Sequence, residues 1–283
     1  MTILSIQSAV AYGHVGNAAA VFPLQRLGFE VWPVNTVHLS NHPGYGAWRG
    51  RGPNAAEVAE VIDGIAERGA FARCRAILSG YLGCAETGRV VLDAVARIKV
   101  ANAGALFCCD PVMGDGTEGL YVPGELAALL KNEAVPRADI VVPNVFELAF
   151  LAERPVETVE DAVAAARALI AAGPPVVVVT SVRGTGAPPD TIGALAVSRT
   201  EAWQVVTPRL PITVKGAGDV LAALFLGHYL ERPDVGGALS RALSSVFGLV
   251  KATAAAGARE LQLVAAQDEI VQPGELFPAR RVG

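Results

Sequence analysis

The sequence predicts an α/β fold of one domain and three layers, a mostly parallel central sheet with helices on both faces. Three observations carry this. Short β-branched or apolar runs alternate along the chain with longer helical patterns, the order that builds parallel sheets. The runs are mainly β-branched or apolar, as strands of a sheet covered on both faces are. Polar or glycine-rich residues then follow directly where most runs end.

The strand-like runs are Ile3 to Gln7, Val31 to Val37, Ala76 to Ser79, Ala105 to Asp110, Ile140 to Val142 and Val176 to Thr180. Between them, Ala55 to Arg68, Thr87 to Asn102 and Val159 to Ala172 place apolar residues three or four apart with charge between, the pattern of amphipathic crossover helices. After Thr180 the pattern changes. Thr191 to Val197 and Ala202 to Val206 are separated by a polar Ser-Arg-Thr-Glu turn, which predicts an antiparallel hairpin at a sheet edge. Gly218 to Tyr229 and Val235 to Ala256 are long, Ala/Leu-rich and weakly charged, so both should pack closely on the sheet. Gly/Pro-rich stretches at 38–53, 183–190 and 207–216 read as loops, and no internal repeat or linker divides the 283 residues, so residues 1–283 are expected to form one domain.

Composition narrows the function classes. Apolar residues make up 52% and charged residues 18%, enough material for a sizeable core. A net charge of −4 without a Lys/Arg run argues against a nucleic-acid partner, because counterion release needs a basic surface. Mean hydropathy is positive, yet no apolar stretch reaches the roughly 20 residues of a membrane span. The first residues enter a strand pattern directly, so the expected location is cytoplasmic. Cys74, Cys84, Cys108 and Cys109 lack zinc or redox spacing and are expected as buried thiols, the adjacent pair facing opposite sides of one strand.

In open parallel sheets a ligand sits beyond the carboxyl ends of the strands. Ser8, Asp110, Asn144 with Glu147, Thr180 and the glycine turn before Asp219 fall there. In Lys215-Gly216-Ala217-Gly218-Asp219, two glycines relax the backbone so that N–H groups can converge on an anion at a helix start, with a carboxylate alongside. In phosphoryl transfer to an alcohol that carboxylate accepts the hydroxyl proton while the amides hold charge on the transferred group. The same turn reads equally as a glycine loop with Asp219 capping the helix. Asp110-Pro111-Val112-Met113-Gly114-Asp115-Gly116 ends a strand in a carboxylate and adds another in the following loop, which suits magnesium shared with phosphate or a simple turn. Asn144-Val145-Phe146-Glu147 places Glu147 in a first helical turn, where it reaches a water-bridged cation or complements the helix dipole. Jointly the three elements favour a magnesium-dependent kinase. No Gly-x-x-x-x-Gly-Lys-Ser/Thr loop and no protein-kinase signature is present, and Gly13-His14-Val15-Gly16 only partly echoes a dinucleotide turn.

The Gly-Ala-Gly-Asp turn and the Asn-x-x-Glu element resemble the ribokinase-like superfamily. Ser5-Ile6-Gln7-Ser8, Tyr12 to Asn17, Phe22 to Gly28, Asn35-Thr36-Val37, Leu39 to Tyr45, Leu78 to Gly83 and Cys109 to Asp115 together resemble its pyridoxal kinases, from Ile3 to about Ile270. The resemblance implies a ribokinase-like sandwich that transfers the γ-phosphate of ATP to the 5′-hydroxymethyl of pyridoxal, with pyridoxine and pyridoxamine as further candidate alcohols. It implies that Asp219 is the base beside a Gly216-Ala217-Gly218 anion hole. Ser8 would bind the pyridine portion, with His42, Pro43, Gly44 and Tyr81 lining the ring pocket. Asp110 and Glu147, with Asp115, would organise Mg²⁺ and the phosphates. Val142, Asn144, Thr180, Ser181, Lys215 and the Thr207-Pro208-Arg209-Leu210 loop would lie near the nucleotide, and Asp115 to Tyr121 would close over it as a lid. A homodimer and a monovalent cation, usually K⁺, are implied as well.

Read on their own, several of these residues keep a structural alternative. Ser8 also serves to cap the next turn, Tyr81 to fill core, and His42 to sit on the surface; His14, His38 and His228 read as structural. The sequence also departs from the family pattern. Pro43 stands where close relatives carry a pyridoxal-contacting threonine, Ala9 where they carry histidine, and Thr180 where bacterial relatives often have lysine. The loop before Gly216 is shorter, and Lys215 adds a cation beside the phosphate site. Two alternatives remain: a hydroxymethylpyrimidine kinase, against which the Ser8 to Tyr45 segment argues, and a catalytically weak B6- or nucleotide-binding protein, against which Asp219 and its two glycines argue.

Overall fold

The computed structural model describes residues 1–182 and 190–283, so most of the 183–190 loop expectation lies outside the described residues. The strands are β1 (Thr2–Tyr12), β2 (Glu30–Asn41), β3 (Gly50–Arg51), β4 (Cys74–Ser79), β5 (Leu106–Cys109), β6 (Gly114–Asp115), β7 (Gly119–Leu120), β8 (Ile140–Val141), β9 (Val176–Val182), β10 (Thr191–Ser198), β11 (Ala202–Pro208) and β12 (Arg280–Arg281). The α-helices are α1 (Asn17–Arg26), α2 (Ala55–Glu67), α3 (Ala85–Ala101), α4 (Gly124–Leu129), α5 (Val135–Arg137), α6 (Val145–Ala152), α7 (Val159–Ala172), α8 (Ala217–Glu231), α9 (Val235–Ala255) and α10 (Asp268–Val271).

Ten strands form one sheet in the order β12-β11-β10-β9-β8-β5-β4-β1-β2-β3. From β2 to β9 neighbours run parallel, while β3, β10, β11 and β12 pair antiparallel. The expected β10–β11 hairpin forms, but β12 adds beyond it, so β11 is not the last strand.

Period-two alternation splits the apolar residues between two cores. Leu4, Ile6, Ile77, Phe107, Cys109, Val141, Val177 and Val179 face the layer of α2, α3, α6 and α7. Ile3, Ala76, Leu78, Cys108, Ile140, Val176 and Val178 face α1, α8 and α9. Cys108 and Cys109 thus point to opposite faces, and burial pushes the Cys109 thiol up to about 12. Cys84 is only half-buried, unlike the other three. Helix α8 is apolar all round and buried from Val220 to His228, which is why its sequence shows little periodicity. Among the described residues no helix is long and apolar enough to cross a membrane.

Several segments differ from expectation: β1 runs on to Tyr12, past the Gln7 expected, and β11 to Pro208, past Val206. Residues 38–41, read as loop, continue β2, because Leu39 and Val37 bury on a small third cluster with Val10 and Val15. Helix α1 was not foreseen, since Pro23 inside it reads as a breaker.

The chain runs outward from β1 to β2 and β3, then returns to β4 on the other side of β1, which makes the β1/β4 boundary the switch point of the sheet. Beyond the strands the ladder continues through Gly80 N–H to Ile6 O, Asp110 N–H to Ser79 O, Val142 N–H to Cys109 O and Thr180 N–H to Pro143 O. Those bonds hold the strand exits level with one another.

Candidate active site

A cavity of about 660 Å³ opens over these exits. It gathers Ser8 from β1, Tyr81 after β4, Asp110 and Val112 after β5, Val142, Asn144 and Glu147 after β8, Thr180 from β9, and Lys215, Gly216, Gly218 and Asp219 at the start of α8. The 42–53 segment closes one side with His42, Pro43, Gly44, Trp48, Gly52 and Pro53, and Glu118 and Tyr121 reach in from the β6–β7 hairpin.

Backbone conformation explains the glycine turn. Gly216 sits at φ +87, the left-handed region, and a Cβ built on it would overlap the His14 carbonyl oxygen. Gly16 is the counterpart across the turn: at φ +54, its Cβ would lie 2.9 Å from the Ser8 carbonyl carbon. The first strand exit and the anion turn are therefore packed backbone against backbone. Nothing lies within 4 Å of a Cβ on Gly218, whose open side is the cavity. The Asp219 carboxylate accepts hydrogen bonds from the Gly16 and Asp219 amides, yet burial dominates and pushes its carboxyl up to about 6.

Glu147 closes a capping box at the start of α6: Asn144 Oδ1 accepts from Glu147 N at 2.9 Å and Glu147 Oε2 accepts from Asn144 N at 2.9 Å. Its Oε1 accepts from Met113 N at 2.9 Å, and Asn144 Nδ2 donates to Gly114 O at 2.8 Å, so the box also holds the loop after β5. Burial nevertheless raises the Glu147 carboxyl to about 7. Asp110 is raised well above the carboxylate range, first by burial and then by the negative charges of Glu147 and Asp219. No cation is buried with these three acids among the described residues. Among the described residues the only Lys or Arg lining the cavity is the half-exposed Lys215, whose Nζ lies 3.7 Å from a Glu118 carboxylate oxygen.

The donor set fits magnesium shared with phosphate oxygens and water. Three or more His, Cys, Asp or Glu side chains are nowhere arranged to hold a metal ion alone among the described residues. Burial raises the Asp219 and Glu147 carboxyls to about 6 and about 7, and Asp110 further feels their negative charge; a cation would favour the charged form of all three.

On the substrate side, His42 Nδ1 accepts from Gly44 N at 3.0 Å, which leaves the neutral ring its proton on Nε2. Burial, then Lys215, lower the His42 pKa. Thr36 Oγ1 donates to Tyr81 O at 2.6 Å and fixes the Tyr81 backbone. Beneath Ser8 runs a buried network: Ser5 Oγ donates to Asn17 Oδ1 at 2.7 Å, Gln7 Nε2 to Ser5 Oγ at 2.9 Å, and Asn17 Nδ2 to Val34 O at 3.0 Å.

Some expected residues lie elsewhere. Asp115 Oδ1 accepts from Thr117 N at 2.8 Å and Glu118 N at 2.7 Å, so the carboxylate caps the hairpin turn and does not line the cavity. Ser181, Thr207, Pro208, Arg209 and Leu210 also lie outside the lining, and Thr207 Oγ1 is spent on Ile192 O at 3.3 Å. Ala217 lies between two lining glycines without lining the cavity itself. Trp48, Gly52 and Pro53 were not singled out from sequence, and Val112 and Glu118 only as members of the Asp110 to Gly116 element and the Asp115 to Tyr121 lid. Each comes from a loop whose place only the fold sets.

The phosphomethylpyrimidine kinase family model matches residues 54–263. A curated protein of Rubrobacter xylanophilus, pyridoxal kinase PdxY, is 54% identical over 283 residues, covering 100% of this chain and 98% of that one. Its counterpart in Leifsonia xyli subsp. xyli is 50% identical with full coverage of both. This chain belongs to the pyridoxal kinase family. Among solved structures, pyridoxal kinase from Leishmania donovani in complex with ADP and pyridoxamine matches with TM-score 0.93 and 31% identity, over 100% of this chain and 99% of the other. The mixed α/β fold with its large helix-flanked sheet is that of the ribokinase-like kinases.

Proposed function

We propose that this chain is an ATP-dependent pyridoxal kinase in which Asp219 accepts the proton of the 5′-hydroxymethyl group. The single observation that carries the reading is the placement of Asp219: a carboxylate at the start of α8, beside glycine amides on one side and the Ser8–Tyr81–His42 pocket on the other.

The alcohol lies with its ring toward Ser8, His42 and Tyr81. Asp219 takes the hydroxyl proton as the oxygen attacks the γ-phosphorus; the bond to the β,γ-bridging oxygen breaks, and ADP carries away that electron pair. With a carboxyl near 6, Asp219 is mainly ionised at neutral pH and basic enough to hold the proton. The amides at Gly216 to Gly218 hold charge on the transferred group, and Lys215 adds a point charge. Asp110 and Glu147 are the residues that would hold Mg²⁺, which would supply neutralisation of phosphate charge. Asp115 is assigned to shaping the hairpin that acts as lid. Thr180, Val142 and Asn144 take the nucleotide side; Ser181 and Thr207 to Leu210 are left to the outer rim of that side.

The family-model match, described as phosphomethylpyrimidine kinase, supports a second reading with a pyrimidine alcohol. That match begins at residue 54, so Ser8, His42, Pro43 and Gly44 fall outside it, whereas the full-length relatives cover them. The pyridoxal reading is therefore preferred. Coupled-assay kinetics with pyridoxal, pyridoxine, pyridoxamine and hydroxymethylpyrimidine decide the matter: pyridoxal should give the highest kcat/KM, and no turnover of any of the four ends the kinase reading. Family likeness also supports a cytoplasmic homodimer with a K⁺ requirement, checked by light scattering and by replacing K⁺ with Na⁺ in the assay.

A further inference from the structure

The segment that brings His42, Pro43 and Gly44 to the cavity ends at Tyr45, which faces away from it. The Tyr45 hydroxyl donates to Glu260 Oε1. Its ring meets the edge of Tyr12, centroids 5.9 Å apart, and the Arg259 guanidinium lies 4.7 Å over its face. The other oxygen of the same carboxylate, Glu260 Oε2, accepts from His14 N at 3.0 Å. Gly13, at φ +97, leaves room for this group, since a Cβ there would lie 2.6 Å from Glu260 Cδ. The carbonyl of His14 in turn packs on Gly216, and Leu261 Cδ1 would stand 3.5 Å from a Cβ on that glycine.

Glu260 is carried on a fixed segment. Leu261 and Leu263 are 1% exposed, Gln262 N donates to Thr253 Oγ1 at 3.1 Å, and Gln262 Nε2 donates to Glu260 O at 3.1 Å. One carboxylate thus ties the substrate loop to the turn that packs on the anion hole. None of Tyr12, Tyr45, Arg259 or Glu260 lines the cavity.

We propose that Tyr45 and Glu260 form a latch of positioning residues that sets the 42–45 substrate loop against the anion turn, and so governs affinity for the aromatic alcohol rather than the rate of phosphoryl transfer. This rests on the pyridoxal kinase reading above. An unlatched loop spends binding energy on ordering itself, which appears in KM for the alcohol.

Tyr45→Phe keeps the ring between Tyr12 and Arg259 and removes the hydroxyl. The expected result is a rise in KM for pyridoxal of about tenfold, the loss of one charge-assisted hydrogen bond, with kcat, KM for ATP and melting temperature little changed. Glu260→Gln keeps an acceptor oxygen and should raise KM less than Glu260→Ala. The Tyr45→Phe/Glu260→Ala double variant should be no worse than the more affected single variant, because each of the two changes removes the Tyr45–Glu260 bond. Hydrogen exchange at residues 42–46 should speed up in Tyr45→Phe without any substrate present. Additive KM effects, an equal fall in kcat, or unchanged exchange at 42–46 would overturn the latch. Wild-type protein that shows the exchange difference on mutation but turns over no B6 alcohol would instead sink the kinase reading and leave the latch as a loop anchor.

Discussion

Gly218→Ala separates what the fold needs from what the ligand needs. Gly218 is the second residue of α8, has no left-handed φ, and has nothing within 4 Å of where a Cβ would sit. In the ligand-free chain, alanine there should gain about 0.5–1 kcal/mol, because glycine in a helix loses more chain entropy on folding. For a chain of this size that corresponds to a rise of about 1–4 °C in melting temperature. The methyl group enters the cavity where the phosphoryl oxygens meet the turn. Displacing one charge-assisted amide contact costs about 1.5–3 kcal/mol, or about 10- to 150-fold in kcat/KM. Differential scanning fluorimetry without nucleotide and steady-state kinetics with pyridoxal and ATP read the two effects. Stability and activity should therefore move in opposite directions. Unchanged kcat/KM would mean that no anion is held against Gly218, and the anion-hole assignment would fall. A lower melting temperature would mean the open space beside it is needed by the fold.

Other substitutions probe the acids and the substrate loop. Asp219→Asn should lower kcat by about 10²- to 10⁴-fold, and wild-type kcat/KM should decline below about pH 6, where the raised Asp219 carboxyl protonates; full kcat in the variant refutes the base. Glu147→Gln removes a titration while keeping an amide oxygen for the capping box. Because burial raises the folded-state Glu147 carboxyl from 4.5 to about 7, its contribution is complete below about 4.5 and is lost as pH rises through 7. Ligand-free wild type should thus lose melting temperature relative to Glu147→Gln between pH 5 and 8, and a constant difference would contradict the burial argument. Pro43→Thr should raise kcat/KM for pyridoxal about tenfold by restoring a hydroxyl at the ring pocket. The turn itself tolerates the change, since Gly44 N–H bonds to His42 and not to residue 43.

Much of the site was legible because each parallel strand announces its exit. Asp110, Asn144 and Thr180 each follow an apolar run at or near its end, whereas Ser8 stands inside β1, which runs on to Tyr12. Glu147 was legible through spacing alone, three residues after an Asn that caps a helix. Residues of the 42–53 segment were legible only where the family resemblance named them, as for His42, Pro43 and Gly44, because no local pattern says where a loop folds back. Trp48, Gly52 and Pro53 reach the cavity only because β3 pairs with β2 at His38 and Leu39. The Gly13 to Gly16 turn only partly echoes a dinucleotide motif and counts toward the family resemblance instead; Gly13 serves close approach to Glu260 and Gly16 to Ser8. Asp115 shows a local signal outranking a family one: a carboxylate two and three residues before free amides caps its own turn first.

The placement of the acids also explains why so much backbone is spent on holding them. Asp110, Glu147 and Asp219 sit close enough to raise one another or to suffer burial together, and two of them draw on main-chain amides to remain ionisable: Glu147 on three, Asp219 on two. Those amides are Asn144, Met113 and Gly114 for Glu147, and Gly16 and Asp219 for Asp219, all in loops or helix starts that follow the strands. A sheet edge or a flexible loop could supply carboxylates, but not a set of N–H groups converging from three strand exits and one helix start. The topology therefore does more than bring the acids together. It keeps Glu147 and Asp219 titratable at about 7 and about 6 in a low-dielectric cleft, where a cation with phosphate is worth far more than it would be in water.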